Sequence, residues 1–256
     1  MDEAKKYAGL RRFNLIMAAL HFIQGTAMLL LSSNFSLPVM SSYLQFDRTV
    51  NKLVPVPETL FDLRIGPVVA GFLFISALAH MLIGMPGING WYTANLKKGV
   101  NYARWLEYSL SSSVMMIVIA MLVGIYDIVS LMLMFVLNAT MIWFGWMMEL
   151  HNQTTTKTNW LSYWFGCIAG AVTWVAIAMY LFGSGSGDAK APDFVYWIFF
   201  SIFLFFNSFA INMVLQYKKT GKWKDYLYGE RAYIILSLIA KSLLAWQVFA
   251  GTLRPV

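Results

Sequence analysis

Seven stretches of about twenty residues with few or no charges run through the sequence, at 13–32, 65–85, 105–125, 128–148, 160–182, 194–216 and 232–252. Each is long enough to cross roughly 30 Å of hydrocarbon as an α-helix, a form that satisfies its own backbone polar groups in lipid. With 59% hydrophobic and 12% charged residues, 256 residues carry far more apolar side chain than a water-soluble core of that length encloses. The sequence therefore specifies an all-α membrane protein, a seven-transmembrane-helix bundle forming a single domain over 1–256. The polar amino terminus, MDEAKKYAGLRR, precedes a first span without a small-residue cleavage site, so that span is expected to stay in place as a signal anchor.

Lysines and arginines in the connections on the amino-terminal side number thirteen, against five on the other side. The tendency of basic residues to stay inside predicts a cell-membrane protein with a cytoplasmic amino terminus and an extracellular carboxyl terminus. The net charge of +7 lies in these short loops, which points to membrane orientation and away from nucleic acid as a partner. A single cysteine, Cys167, excludes disulfides within the chain and a cysteine metal site.

The outer connection 33–64 contains two extended-looking runs, 41–46 and 50–56, which predict a small β-hairpin between the first and second spans. Tyr43, Leu44, Phe46, Leu53 and Val54 are too apolar for a disordered loop in water, so the hairpin is expected to lid the bundle or contact a second subunit. The short turn at 126–127 makes the third and fourth spans an antiparallel pair, whereas GSGSG at 183–187 reads as a flexible linker. Gly166 and Gly170 are spaced for close helix packing.

Across the seven spans two groups carry full charge, Lys241 near the middle of the last and Glu107 in the third. Each would cost roughly 2.5–3.5 kcal/mol alone near the midplane, so pairing is the simplest account. A buried lysine is also a source of the unprotonated amine that condenses with an aldehyde. His21, His80, Ser76 and Ser237 fall at similar depth in the cytoplasmic half and predict a polar pocket there. The histidines lie in separate spans without recognisable ligand spacing, so no metal is implied. Glu149, Arg104 and Asn101 are read as a solvated boundary at the inner rim. Among the aromatic residues, Tyr108, Phe206 and Trp246 stand out by their position near Glu107, Asn207 and Lys241, and a slot for a long flat polyene can be built from them.

The segments ARWLEYSLSSSVM at 103–115, YWFGCIAG at 163–170, LFFNSFA at 204–210 and GERAYIILSLIAKSLLAWQ at 229–247 resemble the heliorhodopsins, and the similarity extends over nearly the whole chain. The resemblance implies all-trans retinal bound to Lys241 as a protonated Schiff base, Glu107 as its counterion, and Ser76, Ser237, His21 and His80 around the Schiff base. It further implies a pocket drawing on Tyr108, Met115, Asn138, Trp164, Phe206 and Trp246, a homodimer, and no enzymatic activity. Ordinary microbial ion pumps carry two carboxylates in the third helix and an aspartate one turn before the lysine, whereas Glu107 stands alone here and Ser237 takes the second position. The resemblance implies light sensing with a slow photocycle, and the residues then predict a proton passed into the His21/His80 region and a signal to a cytoplasmic partner at the basic 218–224 loop. A light-gated proton channel is the alternative, and a retinal-free transporter is a third class without the paired Gly/Pro interruptions it needs.

Overall fold

The computed structural model describes residues 3–183, 185 and 190–254, so most of the expected linker at 183–187 lies outside the described residues. The elements run α1 (Glu3–Leu31), β1 (Ser36–Asp47), β2 (Lys52–Arg64), α2 (Ile65–Gly84), α3 (Ile88–Lys97), α4 (Tyr102–Leu122), α5 (Ile128–His151), α6 (Leu161–Gly183), α7 (Asp193–Tyr217) and α8 (Tyr226–Val248). Seven of the described helices are long and apolar enough to cross a membrane, and α3 is a short extra helix at the amino-terminal end of the bundle. The lipid-facing apolar residues stay exposed, while the inward faces form three apolar clusters, two toward the ends of the bundle and a third around Trp105, Tyr108, Met148, Met213 and Tyr233. Of the two end clusters, one lies toward the hairpin and contains Met28, Phe72, Met116, Ile119, Ile177, Leu244 and Val248. The other lies at the opposite end and joins Leu10 of α1, Tyr92 and Leu96 of α3 and Leu227 of α8.

Two boundaries differ from the sequence expectation in ways that matter for the site. The last helix begins at Tyr226, not 232, which draws Glu230 into the bundle. Its N-cap is Asp225, whose carboxylate accepts the Leu227 N–H at 3.1 Å. The third span starts at Tyr102 under the Asn101 cap, whose side chain accepts from the Arg104 N–H at 3.0 Å, so Arg104 lies within the helix. Apolar windows miss these first turns because polar residues in them are buried against other helices.

The hairpin is longer than expected, 12 and 13 residues paired antiparallel from Ser36/Arg64 to Asp47/Lys52, with a bulge after Val39. Pro38, Pro55 and Pro57 lie within the paired strands, because in a two-stranded sheet each strand is an edge and tolerates a residue without an N–H. Its base is pinned to the bundle by the Met40 N–H donating to the Tyr126 carbonyl at 2.9 Å. Tyr43, Leu44, Phe46 and Leu53 remain exposed, so strand pairing satisfies their backbones but leaves the side chains uncovered. The hairpin's outer half therefore projects from the bundle and does not close over it.

Small residues let the helices approach. A Cβ on Gly170 would lie 2.6 Å from the Met141 sulfur, and one on Gly145 would lie 2.6 Å from the Trp105 ring, so α5 packs tightly between α4 and α6. At the amino-terminal end Arg11 Nε donates to the Gly84 carbonyl at 2.8 Å, closing the end of α2, and Lys6 Nζ donates to Asp225 at 2.8 Å. The Lys6 ammonium beside Asp225 holds its carboxyl below the usual aspartate range, helped by the Leu227 N–H. Because the folded value is the lower one, this contribution is present above the ordinary aspartate range and is lost as pH falls through the folded value. Asp225→Asn is expected to cost up to about 1 kcal/mol at neutral pH, the scale of a surface ion pair. Thermal unfolding in detergent should show that gap closing at acid pH; a gap of unchanged size there would place the effect elsewhere.

Candidate functional site

Lys241 comes from the middle of α8 and Glu107 from the second turn of α4. Lys241 Nζ donates to Glu107 Oε1 at 2.9 Å and to Ser237 Oγ, one turn earlier on the same helix, at 2.7 Å. The Ser76 hydroxyl of α2 donates to the same Glu107 oxygen at 2.6 Å. Lys241 is 3% exposed and Glu107 7%, so the pair is out of water, where removing either partner typically costs about 3–5 kcal/mol. The Tyr108 ring lies 5.1 Å from Lys241 Nζ, and its hydroxyl is tied down by donating to the Tyr233 carbonyl at 2.8 Å. The buried ammonium and carboxylate are thus each other's partners, and two serines supply further hydrogen bonds.

The two histidines also meet. His21 of α1 and His80 of α2 stack with ring centroids 5.7 Å apart and planes 7° from parallel. Asn14, which sequence reasoning passed over, fixes the second ring: its Nδ2 donates to the Leu10 carbonyl at 3.0 Å, so its Oδ1 faces His80 Nδ1 at 2.8 Å as an acceptor. His80 Nδ1 therefore carries the hydrogen. Neither ring nitrogen of His21 has a protein hydrogen-bond partner among the described residues, and both histidines feel the charges of Lys241 and Glu107.

On the other side of Lys241 a cavity of about 280 Å³ runs between α4, α5, α6, α7 and α8, near the lower end of the roughly 300–1,000 Å³ usual for ligand pockets. Lys241, Ser237, Tyr108, Met115 and Phe206 line it together. Gly145, Gly166 and Gly170 give it width, so the two glycines of α6 that read as packing residues do both jobs. Trp105, Trp174 and Tyr233 complete the walls, and of these Trp174 and Tyr233 were not foreseen. Trp174 is held edge-on by Phe199, Phe203 and Phe206 at 5.2–5.5 Å.

Four expected pocket residues lie elsewhere. Trp164 is 61% exposed and off the cavity, because the lining of α6 runs 162, 163, 166, 167, 170, 171 and 174, and 164 is turned about 100° from the middle of that face. Trp246, 40% exposed, sits five residues past Lys241, about 140° round α8, where its indole donates to Gln24 Oε1 at 3.1 Å. Asn138 is buried behind the wall, donating to the Ser112 and Ser113 hydroxyls at 2.8 and 3.1 Å. Ser76 backs the ion pair and is not part of the cavity lining. Reading the α6 and α8 residues at helical spacing from Gly166 and Lys241 would have excluded both tryptophans and found Trp174.

The inner-rim residues are a correction. Arg104, Glu149 and Asn101 are buried, not solvated, and Glu230 joins them with no exposed surface. Arg104 forms ion pairs with both carboxylates, Glu149 and Glu230. Asn101 donates through its backbone N–H to Glu149 at 3.0 Å and through Nδ2 to Glu230 at 2.6 Å. The Trp105 indole and Tyr226 hydroxyl donate to Glu149 at 2.5 and 3.2 Å, and the guanidinium lies 4.1 Å over the Tyr233 ring.

The fold is that of microbial rhodopsins. A light-driven proton pump from Leptosphaeria maculans superposes with a TM-score of 0.64 at 13% identity, over 94% of each chain. The transmembrane domain and linker of a rhodopsin phosphodiesterase from Salpingoeca rosetta gives 0.64 at 10% identity, over 94% of this chain and 70% of that one. No curated protein is matched by the sequence. The family model described as heliorhodopsin matches residues 10–253, nearly the whole chain, and the protein therefore belongs to the heliorhodopsin family.

Proposed function

We propose that the chain, a single rhodopsin-like domain over 1–256, is a light sensor in which Lys241 carries all-trans retinal as a protonated Schiff base and Glu107 is the counterion. The observation that carries this reading is the buried Lys241–Glu107 pair, 2.9 Å long, at the wall of an aromatic cavity of about 280 Å³. A polyene aldehyde needs an amine in a dry site, an anion close to the nitrogen and a flat apolar slot, and Lys241, Glu107 and the Trp105, Trp174 and Phe206 walls fit those needs. Retinal supplies visible absorption and a light-driven change of shape. Ser237 and Ser76 hold the hydrogen bonds of the pair.

Sensing rather than pumping is supported by the asymmetry of the interior. The His21/His80 pocket lies on one side of the pair, while toward the hairpin the core from Met115 to Met121 and from Leu244 to Val248 is apolar. A proton leaving Lys241 Nζ has the histidines as neighbours and no ionisable group among the described residues of that apolar core. Its return by the same way accounts for a slow photocycle without net transport. The amino terminus is cytoplasmic, as the excess of basic residues on that side supports. The 218–224 loop, with Lys218, Lys219, Lys222 and Lys224, then faces a cytoplasmic partner. The uncovered apolar residues of the hairpin support a homodimer, and the chain is assigned no enzymatic activity.

Lys241→Ala should give a folded but colourless protein after addition of all-trans retinal; a visible band that survives, with retinal still attached after borohydride, would remove the assignment. Glu107→Gln takes away the anion that favours the ground-state cation, so absorption should move to the red or the proton should leave at lower pH. An unchanged spectrum and titration would point to another counterion. Illuminated liposomes should show no sustained pH change sensitive to protonophore and no steady current. A current whose sign follows protein orientation would make the chain a pump, and one that reverses with voltage would make it a channel.

A further inference from the structure

The cluster around Arg104 lies outside the site of Lys241, and its charges do not balance. Two carboxylates, Glu149 and Glu230, face one guanidinium, and all three side chains are buried. Around them α3 presents Tyr92, α4 Arg104 itself, α5 Glu149, α7 Tyr217 and α8 Tyr226, Glu230 and Tyr233, while α1 contributes the neutral Asn14. None of these neighbours is a second cation. With both carboxylates ionised, the cluster holds one buried negative charge in excess, against which stand only neutral donors, from Asn101, Trp105 and Tyr226.

A second observation concerns Tyr92. It is buried, it belongs to the short α3, and its hydroxyl faces the side chains of Asn14 and Asn101 without a hydrogen bond of regular geometry to either. Asn14 is the partner of His80 Nδ1 at 2.8 Å, and Asn101 donates to Glu230 at 2.6 Å. The hydroxyl thus stands between the histidine pocket and the carboxylates, and it can accept and donate a proton where an amide only orients.

We propose that the Arg104–Glu149–Glu230 cluster is a proton-binding site, holding one proton on its two carboxylates, and that this site is coupled to the histidine pocket through the hydrogen-bonding groups of Asn14, Tyr92 and Asn101. With the proton bound, one carboxylate faces one guanidinium. A proton arriving at His80 leaves a cation whose Nδ1–H stays on Asn14; the Tyr92 hydroxyl reorients between Asn14 and Asn101, and the cluster answers the added charge by shifting its own proton, with no proton crossing either amide. The coupling rests on the light-sensor reading, whereas the resting proton does not.

Infrared spectroscopy of the full-length protein in the dark, with and without retinal, tests the resting proton. A protonated-carboxyl band that shifts on deuteration is expected, and it should vanish in Glu149→Gln and in Glu230→Gln alike, because each leaves one carboxylate for one cation. It should persist in Glu107→Gln. Wild type lacking such a band, or a band that survives both substitutions, overturns the site, and the wild-type measurement stands even where a variant does not fold. Tyr92→Phe should keep the dark band while at least halving its light-induced shift, the loss of the hydroxyl that links the two compartments. A normal photocycle with an unmoved carboxyl band in wild type, or a shift undiminished in Tyr92→Phe, overturns the coupling. Absence of any visible band on adding retinal would instead count against the light-sensor reading and leave the dark carboxyl result to decide the proton site.

Discussion

The structure depends on two opposite charges sharing one dry place. Taking an ammonium or a carboxylate out of water costs several kcal/mol per ion even after relaxation, and attraction between them offsets this where the geometry is close and the spare lone pairs are satisfied. Lys241 and Glu107 meet that condition at 2.9 Å, with Ser237 on the nitrogen and Ser76 on the oxygen. The requirement propagates. Three helices must converge at one depth, α2 for Ser76, α4 for Glu107 and α8 for Ser237 and Lys241, which fixes their rotation as well as their spacing. Two hydroxyls of α4 are satisfied within the helix, Ser112 and Ser113 donating to carbonyls four residues back at 2.7 Å.

Once those rotations are set, the empty side of the lysine is set as well. The face of α6 that turns toward it carries glycine, cysteine and alanine between Tyr163 and Trp174, so there is room beside the amine and an aromatic stop at the end. Close packing of α5 against α6 at Gly166 and Gly170 and of Trp105 over Gly145 comes from the same small residues. Packing and cavity share residues, which is why a reading that treats a glycine as either structural or functional is the wrong division here.

The bundle, the hairpin and the ion pair were legible in the sequence because each follows from a strong, local signal: a twenty-residue apolar run, an apolar loop rich in extended residues, and a charge that a membrane does not accept alone. The walls were less legible. Trp246 and Trp164 drew notice by nearness in sequence, and helical rotation puts them on outer faces. The Arg104 cluster was hidden for a different reason. A span defined by absence of charge stops at the first charged residue, and Glu230 and Arg104 are charged residues whose partners come from other helices. Burial there is a tertiary fact, carried by Glu149 forty-five residues away from Arg104 and by Glu230 at a separation of 126.

At 10–13% identity, the bundle of this chain still follows that of a proton pump and of a phosphodiesterase's membrane domain, so the path of the backbone does not decide what the interior does. The decision lies in where polar groups stand along the axis. Here the buried ionisable groups other than the Lys241–Glu107 pair are gathered on one side of the lysine, in two compartments, the stacked histidines with Asn14 and the Arg104 cluster with Asn101, and Tyr92 stands between them. The other side is closed by methionine, isoleucine and leucine. Net transport needs a proton to leave by a different end from the one it entered, and that requires polar groups on both sides of the amine. With its ionisable side chains on one side of the amine, this interior fits the proposed sensor reading better than that of a pump.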